Sequence, residues 1–256
     1  MDETTRTDTK VLIFDTTAEL YSEAATALQQ LADEAIAARD RFLLVLSGGE
    51  TSLPLYQRLA NEPVHASFPW QQTHVFWGDE RAVSPEDPMS NYGMARTHLL
   101  EAVPLPEANV HRIIGEVTAA TAAREYSRVL QKMAGGGRAW PRFDVVLLGL
   151  GADGHTASLF PGSMHPARSG QATLAVTGSY DQRPTSRVTL TPPVFNSARS
   201  IFFLVTGERK AETLANVLEG DSSPVRYPAR RIKPPRGTVT WFVDGAAASR
   251  LQQYQK

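Results

Sequence analysis

Apolar positions along this chain fall into two alternating patterns. Residues 10–14 and 41–46 are short runs with little polar interruption, as expected for strands buried in a sheet. Between them, residues 18–38 place Leu20, Ala24, Leu28, Leu31 and Ile36 at helical spacing, predicting a helix that covers the sheet. Strand, helix, strand in that order predicts a parallel βαβ unit.

The alternation continues to the end. Strands are expected at 73–77, 143–148, 174–176, 187–190, 201–205 and 238–243, with a further short one in 110–114. Helices are expected up to Leu59, from Asn91 behind a Ser90 cap, over 118–133, after Thr191 with its two prolines, from Lys210 to Leu218, and over 246–253. The prediction is an α/β fold: an open, mostly parallel, doubly wound (Rossmann-like) sheet with helices on both faces. No shift of composition marks a boundary, so residues 1–256 are expected to form a single domain.

Composition narrows the function. With 42% hydrophobic and 21% charged residues and a formal charge of −1, the chain has no basic excess for nucleic acid. Cysteine is absent, which excludes disulfides, thiolate catalysis and cysteine-ligated zinc. The polar start MDETTRTDTK and the lack of a long apolar window predict a cytoplasmic protein with no membrane partner. The basic, proline-rich stretch 226–236 has no ladder of aromatic residues, so it is expected to be a solvated loop, with one arginine near the site as an alternative.

The chemistry is expected where strand 143–148 ends in Gly149, Gly151 and Gly154, since ligands of open α/β sheets sit at strand carboxyl ends. The Gly-x-Gly-x-x-Gly spacing also fits a dinucleotide site. However, Asp153 inside the turn would repel a diphosphate, and no carboxylate follows until Asp181. Asp153 and His155 instead read as a carboxylate and an imidazole held at one turn, able to move a proton near neutral pH. Ser158 lacks the G-x-S-x-G elbow of a nucleophile and reads as structural. His65, His74, His98, His111 and His165 show no metal spacing, and no metal or cofactor is expected.

Other strand ends add candidates. Ser47, Gly48 and Gly49 open a helix, which suits either an anion on exposed N–H groups or an ordinary capped turn. Asp79 and Arg81 follow strand 73–77, either to orient a sugar's hydroxyls or as a local ion pair. Lys210 at a helix amino end is disfavoured by the dipole, so it faces an anion or is a solvated surface lysine.

The blocks LSGGETSLPLY, FWGDERAV with SNYGMARTHLL, FDVVLLGLGADGHTASLFPG and RVTLTPPVFNSARSIFFLVTGERKAETL resemble, in order, those of the 6-phosphogluconolactonase family, relatives of the glucosamine-6-phosphate deaminases/isomerases. Two departures are Ser52, where the family usually has proline, and Glu50, a negative charge that must point away from a phosphate. The resemblance implies hydrolysis of 6-phospho-D-glucono-1,5-lactone in the oxidative pentose phosphate pathway, without metal or cofactor. His155 is then the base for water, and Asp153 orients it or binds sugar hydroxyls. Arg81 or nearby N–H groups steady the oxyanion. Ser47, Gly48, Gly49 and Lys210 hold phosphate, with Arg187 a weaker candidate of the same kind. Asp79 lies near substrate, and Asn91 either contacts it or caps its helix. The expected partner is this phosphorylated sugar lactone, and the expected state a monomer, with a weak homodimer as the alternative. An aminosugar-phosphate isomerase/deaminase, using Asp79 as base, and a non-catalytic sugar-phosphate-binding domain are the rival functions.

Overall fold

A computed structural model describes residues 8–162, 170–178 and 186–254. In chain order its elements begin with β1 (Asp8–Phe14), α1 (Thr17–Arg39), β2 (Phe42–Leu46), α2 (Leu53–Ala60), α3 (Val64–Ser67), β3 (Thr73–Trp77), β4 (Asp79–Arg81), α4 (Asn91–Ala95) and β5 (Val110–His111). They continue with α5 (Ala119–Ala134), β6 (Val145–Gly149), β7 (Thr173–Thr177), β8 (Ser186–Leu190), α6 (Pro192–Phe195), β9 (Ser200–Val205), α7 (Ala211–Leu218), β10 (Thr238–Asp244) and α8 (Gly245–Ala248).

Seven strands form one sheet in the order β1-β10-β9-β6-β2-β3-β5, every pair parallel. All residues of β2 and β9 are buried, so both faces of the sheet are covered, as their unbroken apolar composition requires. The strand that carries the Asp-Gly-His turn, β6, lies at the centre. The chain leaves β2 toward β3 and leaves β6 toward β9 on the other side. Adjacent strands whose connections diverge open a crevice at their carboxyl ends, and here those ends carry Ser47–Gly49 and Gly149–His155.

Helix α1 starts on a capping box, with Thr16 accepting from the Glu19 N–H and the Glu19 carboxylate accepting from the Thr16 N–H. Its buried stripe is Leu20, Ala24, Leu28, Ala32 and Ala35, while Leu31 and Ile36 are only partly covered. Alanines at the seam let the helix backbone lie close to the sheet.

Four expectations are corrected. β4, β8 and β7 form a separate three-stranded antiparallel sheet, so Asp79 to Arg81 is a strand and 187–190 does not join the parallel sheet. A three-residue strand directly after Gly78 leaves no turn signal for a sequence reading to find. The stretch 226–236 is solvated only in part, with Arg226, Lys233, Pro235 and Arg236 exposed. Pro228, Ala229 and Ile232 are buried, and the Ala229 N–H donates to Gly154 O at 3.1 Å. Arg230 donates to the carbonyls of Asn216, Val217 and Gly220, closing the C-terminus of α7. The terminal helix stops at Ala248, because the Glu219 carboxylate captures the N–H groups of Gln252 and Gln253. Finally, His74 and His111 are not isolated. Their Nδ1 and Nε2 are 3.1 Å apart across β3 and β5. His165 lies outside the described residues.

Candidate active site

At the crevice between β2 and β6 is a cavity of about 500 Å³. Its wall includes Ser47, Gly48, Gly49, Asp79, Arg81, Asn91, His155, Arg187 and Lys210, so the loops after β2, β6 and β9 meet strands β4 and β8 and the start of α4 in one place. Asp153 does not line it and touches His155 from outside.

The imidazole is held by its own turn. Asp153 Oδ1 lies 2.6 Å from His155 Nδ1 and also accepts from the His155 backbone N–H at 3.1 Å. Burial raises the pKa of Asp153, but the hydrogen bond and charge of His155 outweigh it and hold the carboxyl below its usual range. An ionised carboxylate only accepts, so Nδ1 carries the hydrogen and the lone pair that can take a proton is on Nε2. Gly151 makes the approach feasible: a Cβ there would lie 2.0 Å from His155 Nδ1 and 2.6 Å from Asp153 Oδ1. Gly154, at φ +88°, has Tyr227 against it, 2.3 Å from where a Cβ would stand. The stretch 226–236 therefore buttresses this turn through Tyr227, and none of its arginines lines the cavity.

Across the cavity, Asp79 and Asn91 are 5% and 1% exposed. Ser158 Oγ donates to Asp79 Oδ2 at 2.5 Å, in keeping with a structural serine, and Asn91 Nδ2 donates to Asp79 O at 2.8 Å. Capping of α4 falls to Ser90, whose Oγ accepts from the Gly93 N–H, and to Glu80. Asn91 Oδ1 is buried without a hydrogen-bond partner, and a Gly48 Cβ would lie 1.7 Å from it. An orphaned acceptor on a cavity wall suits a ligand hydroxyl.

Among the described residues, Glu80 is in no ion pair. Its buried carboxylate accepts from the N–H groups of Arg81, Asn91 and Tyr92, and burial pushes its pKa up despite them. It fastens α4 to β4, a role its sequence context did not reveal.

Positive charge gathers on the small sheet. Arg81 and Arg187 are direct cross-strand partners, both line the cavity, and Arg187 is 4% exposed. Like charges opposite one another cost stability, and an anion between them would offset it. Lys210 reaches the cavity from the turn before α7, with Arg209 beside it. Glu50, expected to point away, is exposed but still part of the wall. Sequence reasoning missed Tyr21, Phe160 and Arg209. Tyr21 lies in the helix assigned to sheet covering, yet its hydroxyl donates to Thr51 O at 2.8 Å, and burial pushes its pKa up to about 12. Among the described residues, no three His, Cys, Asp or Glu side chains are grouped to hold a metal.

Three comparisons bear on this site. The sequence profile of the glucosamine-6-phosphate isomerases/6-phosphogluconolactonase family matches residues 15–241. A 6-phosphogluconolactonase of Synechocystis sp. is 41% identical over 238 residues, covering 91% of this chain and 94% of its own, and that of Rattus norvegicus is 38% identical over 248 residues, covering 94% and 93%. The solved structure of 6-phosphogluconolactonase from Trypanosoma brucei superposes with a TM-score of 0.83 at 29% identity, covering 96% of this chain and 100% of that one.

Proposed function

This chain belongs to the glucosamine-6-phosphate isomerase/6-phosphogluconolactonase family and hydrolyses 6-phospho-D-glucono-1,5-lactone to 6-phosphogluconate in the oxidative pentose phosphate pathway, and from that premise we propose how its cavity does so. The observation that carries the proposal is that the His155 imidazole, the Ser47–Gly49 backbone and Lys210 open into the same cavity.

The phosphate binds at the N–H groups of Gly48 and Gly49, beside the Ser47 side chain, and at Lys210, with Arg187 adding charge, and so locates the lactone; the Ser47 N–H itself donates to the Tyr56 hydroxyl at 3.0 Å. Asn91 Oδ1 accepts from a sugar hydroxyl, with Asp79 beside it. Water attacks C1 while His155 Nε2 takes its proton, and Asp153 steadies the imidazolium that forms. Negative charge developing on the carbonyl oxygen is met by Arg81. The tetrahedral carbon then expels the ring oxygen, which receives the proton from His155, and the new carboxyl group loses its proton to solvent. No covalent enzyme intermediate is needed.

One domain performs these steps, and we propose that the chain acts as a monomer. No helix among the described residues is long and apolar enough to cross a membrane, and we assign the enzyme to the cytoplasm. Asp79, the base a deaminase would need, is hydrogen-bonded to Ser158.

The test generates the lactone in situ and follows acid release with and without the protein. His155→Ala should cut turnover at least ~100-fold with the fold retained. Unchanged turnover removes His155 from the mechanism, and ammonia release from glucosamine-6-phosphate would favour the deaminase reading.

A further inference from the structure

Phe160, five residues beyond the histidine, touches both halves of the site. Its ring centroid is 5.4 Å from that of His155, tilted by 46°, and the Arg187 guanidinium carbon lies over its face at 5.6 Å from the centroid. It also lines the cavity. The ring is seated against Gly178, just past the end of β7, where a Cβ would stand 2.4 Å from Cε2 and 2.7 Å from Cζ. The backbone at Gly178 is not left-handed, so this residue is small because of the ring and not because of its own conformation.

We propose that Phe160, seated on Gly178, is a positioning residue that holds the acid–base His155 and the anion-binding Arg187 against one aromatic ring, so that their spacing is set by a rigid group. This rests on the functional reading above. An aromatic face attracts cations, so the ring favours the guanidinium over its face and also the imidazolium that forms during attack. The other charged groups of the site are Asp153 on the histidine's own turn and Glu50, Asp79, Arg81, Arg209 and Lys210 on the cavity wall. Arg187 reaches the cavity from β8 and His155 from the loop after β6, so two different sheets supply them and the ring is their common contact.

Two variants test this. Phe160→Leu keeps an apolar side chain without an aromatic face, and Gly178→Ala keeps the ring but pushes it off its seat. Each should lower kcat, by about tenfold for Phe160→Leu, the size of one desolvated cation–π contact. Each should also raise KM for the phosphorylated lactone, as Arg187 loses its place. Mere structural damage would reduce the active fraction and leave KM unmoved, and that result, or wild-type kinetics in both variants, overturns the proposal. If His155→Ala abolishes turnover while Phe160→Leu behaves as wild type, only this inference fails. If wild type itself has no lactonase activity, the functional reading fails and takes this inference with it.

Discussion

Replacing Gly151 by alanine isolates the geometry of the Asp153–His155 pair. The backbone there is not in the left-handed region, so alanine adds no conformational strain of its own and the perturbation is the methyl group alone. That methyl would stand 2.0 Å from His155 Nδ1, whereas unstrained heavy atoms keep about 3.5 Å apart. The imidazole must therefore retreat by about 1.5 Å, and the methyl's 2.6 Å approach to Asp153 Oδ1 keeps the carboxylate from following unchanged. A misplacement of about 1 Å at a reacting group is worth on the order of 10²-fold in rate. Gly151→Ala should thus lower kcat about a hundredfold. KM for the phosphorylated lactone should stay within about threefold, since Ser47–Gly49 and Lys210 belong to other elements. Overpacking of this kind costs about 1–3 kcal/mol, which for a chain of this size lowers Tm by several degrees without unfolding it. Acid release from lactone made in situ, with a thermal melt of the same sample, measures both quantities. A folded variant with kcat within about threefold of wild type would refute the argument that the position of the imidazole governs turnover.

Two other outcomes are expected. Lys210→Ala should chiefly raise KM for the phosphorylated lactone and matter less for the unphosphorylated one, and equal effects on both would contradict its phosphate role. Stability should fall on acidification through the His74–His111 pair. Burial, then the neighbouring His74, lower the pKa of His111 to about 4, and burial with nearby Arg41 lowers that of His74. Between pH of about 6.5 and about 4 the unfolded chain binds more protons than the folded one, so the contribution is complete above this window and is lost as pH falls through it. His111 is half-buried, so the loss is about 1–2 kcal/mol, and denaturant midpoints of His111→Gln should show a flatter acid limb. Identical acid limbs in the two proteins would remove this pair from the acid response.

The strand-to-glycine-to-helix order was readable because each signal is carried by neighbours along the chain. The apolar run before Gly149 became the central strand, and Ser47–Gly49, Lys210 and His155 came to one cavity as the strand ends implied. Stretch 226–236 misled for a physical reason. Its prolines and arginines look solvated, but Gly154, whose carbonyl accepts from the Ala229 N–H, lies far away in sequence. Phe160 was invisible as a site residue because an aromatic residue in an apolar run carries no mark of the charges it will meet.

By itself, then, the sequence determined a parallel α/β sheet, the glycine turns at strand ends and a carboxylate beside an imidazole, since periodicity, backbone freedom and short spacing are local properties. Only the tertiary structure decided that β2 and β6 would be neighbours with diverging connections, that Arg81 would face Arg187, that Ser158 would donate to Asp79, and that His74 would meet His111. Strand order and register are chosen by how the whole chain buries its apolar surface. Contacts between residues tens of positions apart follow from that choice and leave no trace in either residue's neighbours.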